Sequence, residues 1–266
     1  MWWNKARRPT VTPFKQGEPK TFDTLLCDGY RIDDVVSMRA LLDILSEKRA
    51  AHPGMQLLAT LDHLQQAFYT SGHTIGFHDF DETEGYDLSG VDPSAFEDGE
   101  HRGYLGTKSE FFIRHSNFQK RATVRFEELR GKLFWKPTAD RPDFFAVNAK
   151  PDEILDNTIY VQAVPVARPC EALCAFPNGY FTDDLTPMEN FAVAQRFEER
   201  YGYALFGVGA SYIGYLKSRD LTIPEMRAFA DDILSLYRDA GDPSLPARVA
   251  AVIGAQPFVL LNFNGS

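Results

Sequence analysis

His73, His78, Asp79 and Asp81 are the residues whose types and spacing come nearest to doing chemistry. Imidazole nitrogens and carboxylate oxygens are ligands that suit zinc or manganese. A metal-dependent hydrolase built on these four residues is therefore the catalytic alternative. Their spacing matches no strong metal motif. Asp79, Asp81 and Gly85 meet the pattern of a calcium loop only in part. A glycine-punctuated acidic loop explains the same residues without a metal. Cys170 and Cys174 stand four apart, which is not the spacing of a redox pair, and no histidine lies near them in sequence. They read as buried packing. The chain has no Gly-x-Ser-x-Gly elbow and no phosphate-binding loop, and Gly207 and Gly209 belong to a hairpin rather than a strand-to-helix turn. No catalytic residue is assigned and no cofactor is implied.

Charge gives a sharper signal than any motif. The formal net charge is -9, and between Arg49 and Arg102 there is no Lys or Arg. That gap holds ten carboxylates: Asp62, Asp79, Asp81, Glu82, Glu84, Asp87, Asp92, Glu97, Asp98 and Glu100. The remainder has 28 basic and 27 acidic residues, a balance of +1. The excess negative charge is thus local. Such a field repels nucleic acid and attracts a basic partner. Residues 78 to 100 also lack a helical period and contain Gly85, Gly90, Pro93 and Gly99, which predicts a long exposed loop.

Two stretches bear on nucleic-acid binding. The helix pair before this loop has the spacing of a helix-turn-helix but little positive charge beyond Lys48 and Arg49, which argues against DNA. Between Phe111 and Trp135, basic residues (Arg114, His115, Lys120, Arg121, Arg125, Arg130, Lys132) alternate with Phe112, Phe118 and Phe126. On strands, that mixture can bind single-stranded RNA, a weaker alternative in so acidic a protein.

The elements that must position these residues predict an α+β fold: a mixed, largely antiparallel sheet with helices packed on it. Asp33 or Asp34 opens a helix to about Ala51, and a second runs from Met55 to Tyr69. Thr74 to Phe80 reads as a strand feeding the acidic loop. Further strands are predicted at Glu110 to His115, Ala122 to Phe126, Lys132 to Lys136, Phe144 to Asn148 and Thr158 to Val164. Thr186, Pro187 and Glu189 form a capping box at the start of an amphipathic helix that Gly202 ends. A hairpin follows, from Tyr203 to Val208 and from Ser211 to Lys217. A second boxed helix begins at Thr222, and a short helix (Ala247 to Ile253) and a strand (Phe258 to Phe263) close the chain. The suggested organisation is an extended basic arm (1–24), an α+β part carrying the acidic loop (25–165) and a helix–hairpin–helix part (166–266).

Phe176 to Tyr180, then Phe197 followed by Glu199, Arg200, Tyr201 and Gly202 and an apolar strand, resembles the bacterial domain-of-unknown-function family 4253 over residues 165 to 240. Some uncharacterised bacterial domains of this kind occur beside toxin genes. The resemblance therefore implies an immunity protein that neutralises a cognate toxin or secreted effector. The charge pattern supplies the surface for it: Asp79, Asp81, Glu82, Glu84, Asp87, Glu97, Asp98 and Glu100, facing a basic protein. No apolar run reaches membrane-spanning length and the start lacks the form of a signal peptide, so the cytoplasm is the expected location.

Overall fold

A computed structural model describes residues 9–15, 25–135 and 143–264. In chain order the elements are β1 (Thr10–Phe14), β2 (Gly29–Asp33), α1 (Met38–Arg49), β3 (Gln56–Thr60), α2 (Leu64–Phe77), β4 (Phe96–Glu97), β5 (Glu100–His101) and α3 (Phe111–Arg121). They continue with α4 (Phe144–Ala149), β6 (Thr158–Val164), α5 (Pro187–Tyr201), β7 (Tyr203–Val208), β8 (Tyr212–Lys217), α6 (Ile223–Ser235), α7 (Leu245–Ala255) and β9 (Phe258–Asn262). The fold is α+β, as expected. One seven-stranded sheet has the order β1-β2-β6-β3-β7-β8-β9, antiparallel except where β3 and β7 run parallel.

The pleat sorts side chains onto two cores. Tyr160 and Val164 of β6, Ile213 and Tyr215 of β8, and Val259 and Leu261 of β9 face a large core with α2, α3, α5, α6 and α7. Ile159, Val161, Tyr212, Phe258 and Leu260, the alternate positions, face a smaller core beneath α1 and α4. The sheet runs across residues 165 to 169, because β3 pairs with β7. Gly214 lies under the Phe206 ring, where a Cβ would come within 2.5 Å of it. The free edge of β9 is covered by Asn148, which accepts from the Leu260 N–H and donates to its carbonyl. An open strand edge invites pairing with another chain, and this amide blocks it.

The C-terminal half follows its local signals closely. Thr186 Oγ1 accepts the Glu189 N–H while Glu189 accepts the Thr186 N–H, and Gly202 ends α5 at a left-handed φ of 69°. Thr222 and Glu225 repeat the box on α6. The middle of the chain corrects several expectations. Met55 to Tyr69 is strand β3 followed by the start of α2, and Thr74 to Phe80 is the end of α2 and a turn. Helix α2 has no local cap: Asp156, 92 residues away, accepts the Leu64 N–H. Glu110 to His115 and Phe144 to Asn148 are helical, not strands. Phe111, Arg114 and Phe118 are buried at helical spacing, and Thr107 with Glu110 forms the same box as Thr186 with Glu189. Ala122 to Phe126 leads into a 3-10 turn, and Leu133 makes a single bridge to Tyr237. Lys136 and most of the basic arm lie outside the described residues; within the arm, Thr10–Phe14 is the edge strand β1, where Pro13 is tolerated.

Candidate functional site

Helix α3 is the backbone of the acidic segment. Along one side it carries Glu110, at the helix start, then Arg114 and Asn117, spaced so that they share a face. Arg114 is buried and clamps Asp81 with two bonds, Nε to Oδ1 at 2.6 Å and Nη2 to Oδ2 at 2.7 Å. Asn117 donates to the carbonyls of Phe80 and Glu82 and accepts from the Tyr86 hydroxyl. Lys120 donates to the same hydroxyl and stands over the Tyr86 ring. Ser109 accepts the Asp92 N–H. A segment with no helical or strand period is thereby held in one shape by a helix that follows it in sequence.

The far end of the segment is a hairpin. Asp98 and Gly99 form its two-residue turn, both at positive φ (52° and 87°), the geometry that Asp-Gly favours between right-twisted strands. Glu97 and Glu100 stand directly opposite each other across it. Like charges so placed cost several tenths of a kcal/mol. His101 offsets this by tying the hairpin to α3: its Nδ1 accepts the Gly103 N–H, so the proton is on Nε2, which donates to the fully buried Glu110 at 2.6 Å. Glu110 also accepts from the backbone of Gly106 and Thr107 and from the Thr107 hydroxyl.

Of the eight carboxylates of the expected surface, Asp81 alone is turned inward, to Arg114, while Asp79 is exposed with Arg121 at 3.8 Å. Glu82, Glu84, Asp87, Glu97, Asp98 and Glu100 are exposed, as is Asp92. Hydrogen bonds from Ser89 hold Asp87 below the usual carboxylate range, and Ser94 does the same for Asp92. Asp62, counted with the acidic gap, is buried instead. Its two oxygens accept the N–H groups of Tyr212 and Ser211, fixing the β7–β8 turn. Burial raises its pKa to about 6 against the opposing pull of those bonds.

The four alternative metal ligands are not brought together. His73 projects from α2 and stacks on Tyr180 at 5.1 Å; His78 stacks on Phe80; Asp81 is committed to Arg114. Among the described residues no three His, Cys, Asp or Glu side chains form a group able to hold a metal ion. The premise of the RNA reading is also corrected, because Arg114, Lys120 and Arg121 sit on a helix and Arg114 is buried in an ion pair. Cys170 and Cys174 lie buried in the 3-10 turn Pro169–Ala175, and desolvation pushes both thiols up, away from reactive thiolates.

The outer side of α2 carries an aromatic face that no sequence motif marks. Tyr69, His73 and Phe77 recur every fourth residue on the outer side of α2; Tyr180 stacks on His73, and Phe181 meets Tyr180 edge-on. All five are exposed. Between α2 and the 179–182 loop, Phe77, Tyr180 and Phe181 line a cleft of about 440 Å³, and His78, the first residue of the acidic segment, lines it too. The spacing of Tyr69, His73 and Phe77 was the available signal, hidden while this stretch was divided between a helix and a strand.

Among the described residues no helix is long and apolar enough to cross a membrane. Comparison with protein-family models finds none that matches, and comparison with curated proteins and with solved structures finds no match.

Proposed function

We propose that this protein is a non-catalytic binding module that docks a basic protein on the surface spanning residues 82 to 100, in the manner of a bacterial immunity protein neutralising a toxin or secreted effector. One observation carries the reading: seven of the eight carboxylates of the expected surface are exposed on an ordered scaffold, two of them opposed in a hairpin that like charge weakens. A loop serving only as a connection gains nothing from Glu97 facing Glu100. A surface offered to cations does. Acidic groups fixed in place steer a basic partner and occupy a site built for phosphates without reorganising first. The exposed aromatics beside the segment add the side chains that usually anchor protein interfaces.

Coexpression with the products of the flanking genes tests this. A basic protein retained at low salt and released by Glu97→Gln/Asp98→Asn/Glu100→Gln agrees with the proposal. Failure to retain any basic protein, or retention indifferent to those substitutions, contradicts it.

A further inference from the structure

The acidic segment contains apolar surface of its own. Leu88, Ser89, Val91, Pro93 and Phe96 line an open hollow of about 490 Å³. Leu88 and Phe96 are half-buried, and Pro93 is exposed. Val91 and Phe96 join neither of the two cores, so these side chains do not pack the sheet against its helices. Three carboxylates stand next in the chain to lining residues: Asp87 before Leu88, Asp92 between Val91 and Pro93, and Glu97 after Phe96. All three are exposed, and among the described residues none is paired with a Lys or Arg. Hydrogen bonds from Ser89 and Ser94 favour the charged forms of Asp87 and Asp92. Nearby basic side chains are engaged elsewhere, Lys120 with the Tyr86 hydroxyl and Lys108 with Asp28. Arg102, whose N–H donates to the Ala95 carbonyl, is one cation against three carboxylates. An anion is repelled from such a place. A small polar ligand finds a single hydroxyl in the lining, Ser89, already bonded to Asp87. A neutral apolar ligand fills the hollow but draws nothing from the carboxylates around it. An apolar group with positive charge on either side uses both.

We infer that this hollow receives a large apolar side chain of the basic partner, flanked in the partner's sequence by lysine or arginine residues that pair with Asp87, Asp92 and Glu97. The apolar group supplies affinity by leaving water, while the charges around it set orientation and exclude acidic proteins. An apolar centre inside a polar rim is the usual anatomy of a protein interface. The inference rests on docking of a basic protein to the acidic surface and adds the anchor; the anchor can fail while the docking stands.

The test uses the full chain and two peptides of equal charge, Lys-Lys-Lys-Trp-Lys-Lys-Lys and Lys-Lys-Lys-Ser-Lys-Lys-Lys, titrated at low salt and followed by amide NMR. Wild type is expected to bind the Trp peptide about fivefold to tenfold more tightly than the Ser peptide, the scale of partly burying one large side chain. The shifts that distinguish the two peptides should fall on residues 88 to 96. Phe96→Ala should remove most of that preference and leave the Ser peptide unaffected, whereas Phe96→Leu, which stays apolar, should keep most of it. Pro93→Ser removes lining without touching the hairpin strands and should lose part of the preference, so the test holds even if Phe96→Ala disturbs the hairpin. Asp87→Asn/Asp92→Asn/Glu97→Gln should weaken both peptides. Equal affinity of wild type for the two peptides, or a preference that survives in both Phe96→Ala and Pro93→Ser, overturns the anchor. If the carboxylate variant still weakens both peptides in that case, docking to the acidic surface stands without it; if neither peptide binds wild type, both readings fail. A Trp preference that the carboxylate variant leaves at full strength overturns the pairing with Asp87, Asp92 and Glu97. A dimer of the free protein that Phe96→Ala dissociates would make a second copy of this chain the occupant and also overturns the inference.

Discussion

Asp81 and Glu82 are neighbours with opposite fates. The Asp81 carboxylate closes a fork-to-fork pair with Arg114, which is 1% exposed, whereas Glu82 faces solvent. Breaking a buried pair strands the remaining charge, which typically costs about 3–5 kcal/mol. Asp81→Ala is therefore expected to lower unfolding stability by about 3 kcal/mol in urea titration, while Glu82→Gln leaves it within about 0.5 kcal/mol. Equal effects would contradict the division of the acidic segment into structural and exposed groups. Asp62 yields a prediction of another kind. Its folded pKa, about 6, lies above the ordinary 3.8, so the folded state holds this proton more tightly than the unfolded chain. The stability linked to that proton is fully present below pH 3.8 and is lost as pH rises through about 6. Carbonyl-detected NMR should find the Asp62 carboxyl titrating near that value; a midpoint at or below 4 would contradict its burial behind the β7–β8 turn.

At the scale of elements, α3 decides whether the acidic surface has a shape. Glu110 joins three things: the start of the helix, the backbone of residues 106 and 107, and His101 at the base of the hairpin. Glu110→Gln has one acceptor oxygen where two were used, and presents an amide N–H to donors. Hydrogen exchange of the 96–101 amides is expected to quicken by about tenfold in this variant, with that of β6 and β8 unchanged. Faster exchange throughout the sheet would instead mean that Glu110 supports the whole fold.

The same elements show what could be read from the chain. Boxes at Thr186 and Thr222 lie within their own helices, so α5, α6 and the β7–β8 hairpin between them were legible. Thr107 and Glu110 give the same signal, but the aromatic run that follows, Phe111 and Phe112, resembles a strand. Asp98-Gly99 is a hairpin signal in its own right, obscured by acidic neighbours. Helix α2 could not be read locally, since its cap comes from Asp156 across the fold. Its outward aromatics went unseen for that reason, and so did the cleft they frame. The exposure of Glu82 to Glu100 was legible from composition, but the inward turn of Asp81 was not. It depends on Arg114, which becomes its neighbour only once α3 packs on the core.

Over the whole molecule, the seven-stranded sheet with helices on both faces is a rigid support, and charge is distributed unevenly upon it. A net charge of -9 arises in one stretch whose exposed groups are pinned by hydrogen bonds and a buried ion pair. Asp62 and Asp81 leave that surface by burial and pairing, whereas Asp79 stays exposed beside Arg121. What remains is smaller than the sequence suggested, and more ordered.

The most direct test of that surface is the affinity of the retained basic partner for wild type and for a variant neutralised at Glu82, Glu84, Asp87, Glu97, Asp98 and Glu100, each measured over a range of salt. Wild type should bind at least about tenfold more tightly at low salt, with an advantage that fades as salt screens the charges. Equal affinities for the two proteins, or a wild-type affinity that salt does not change, would contradict the account.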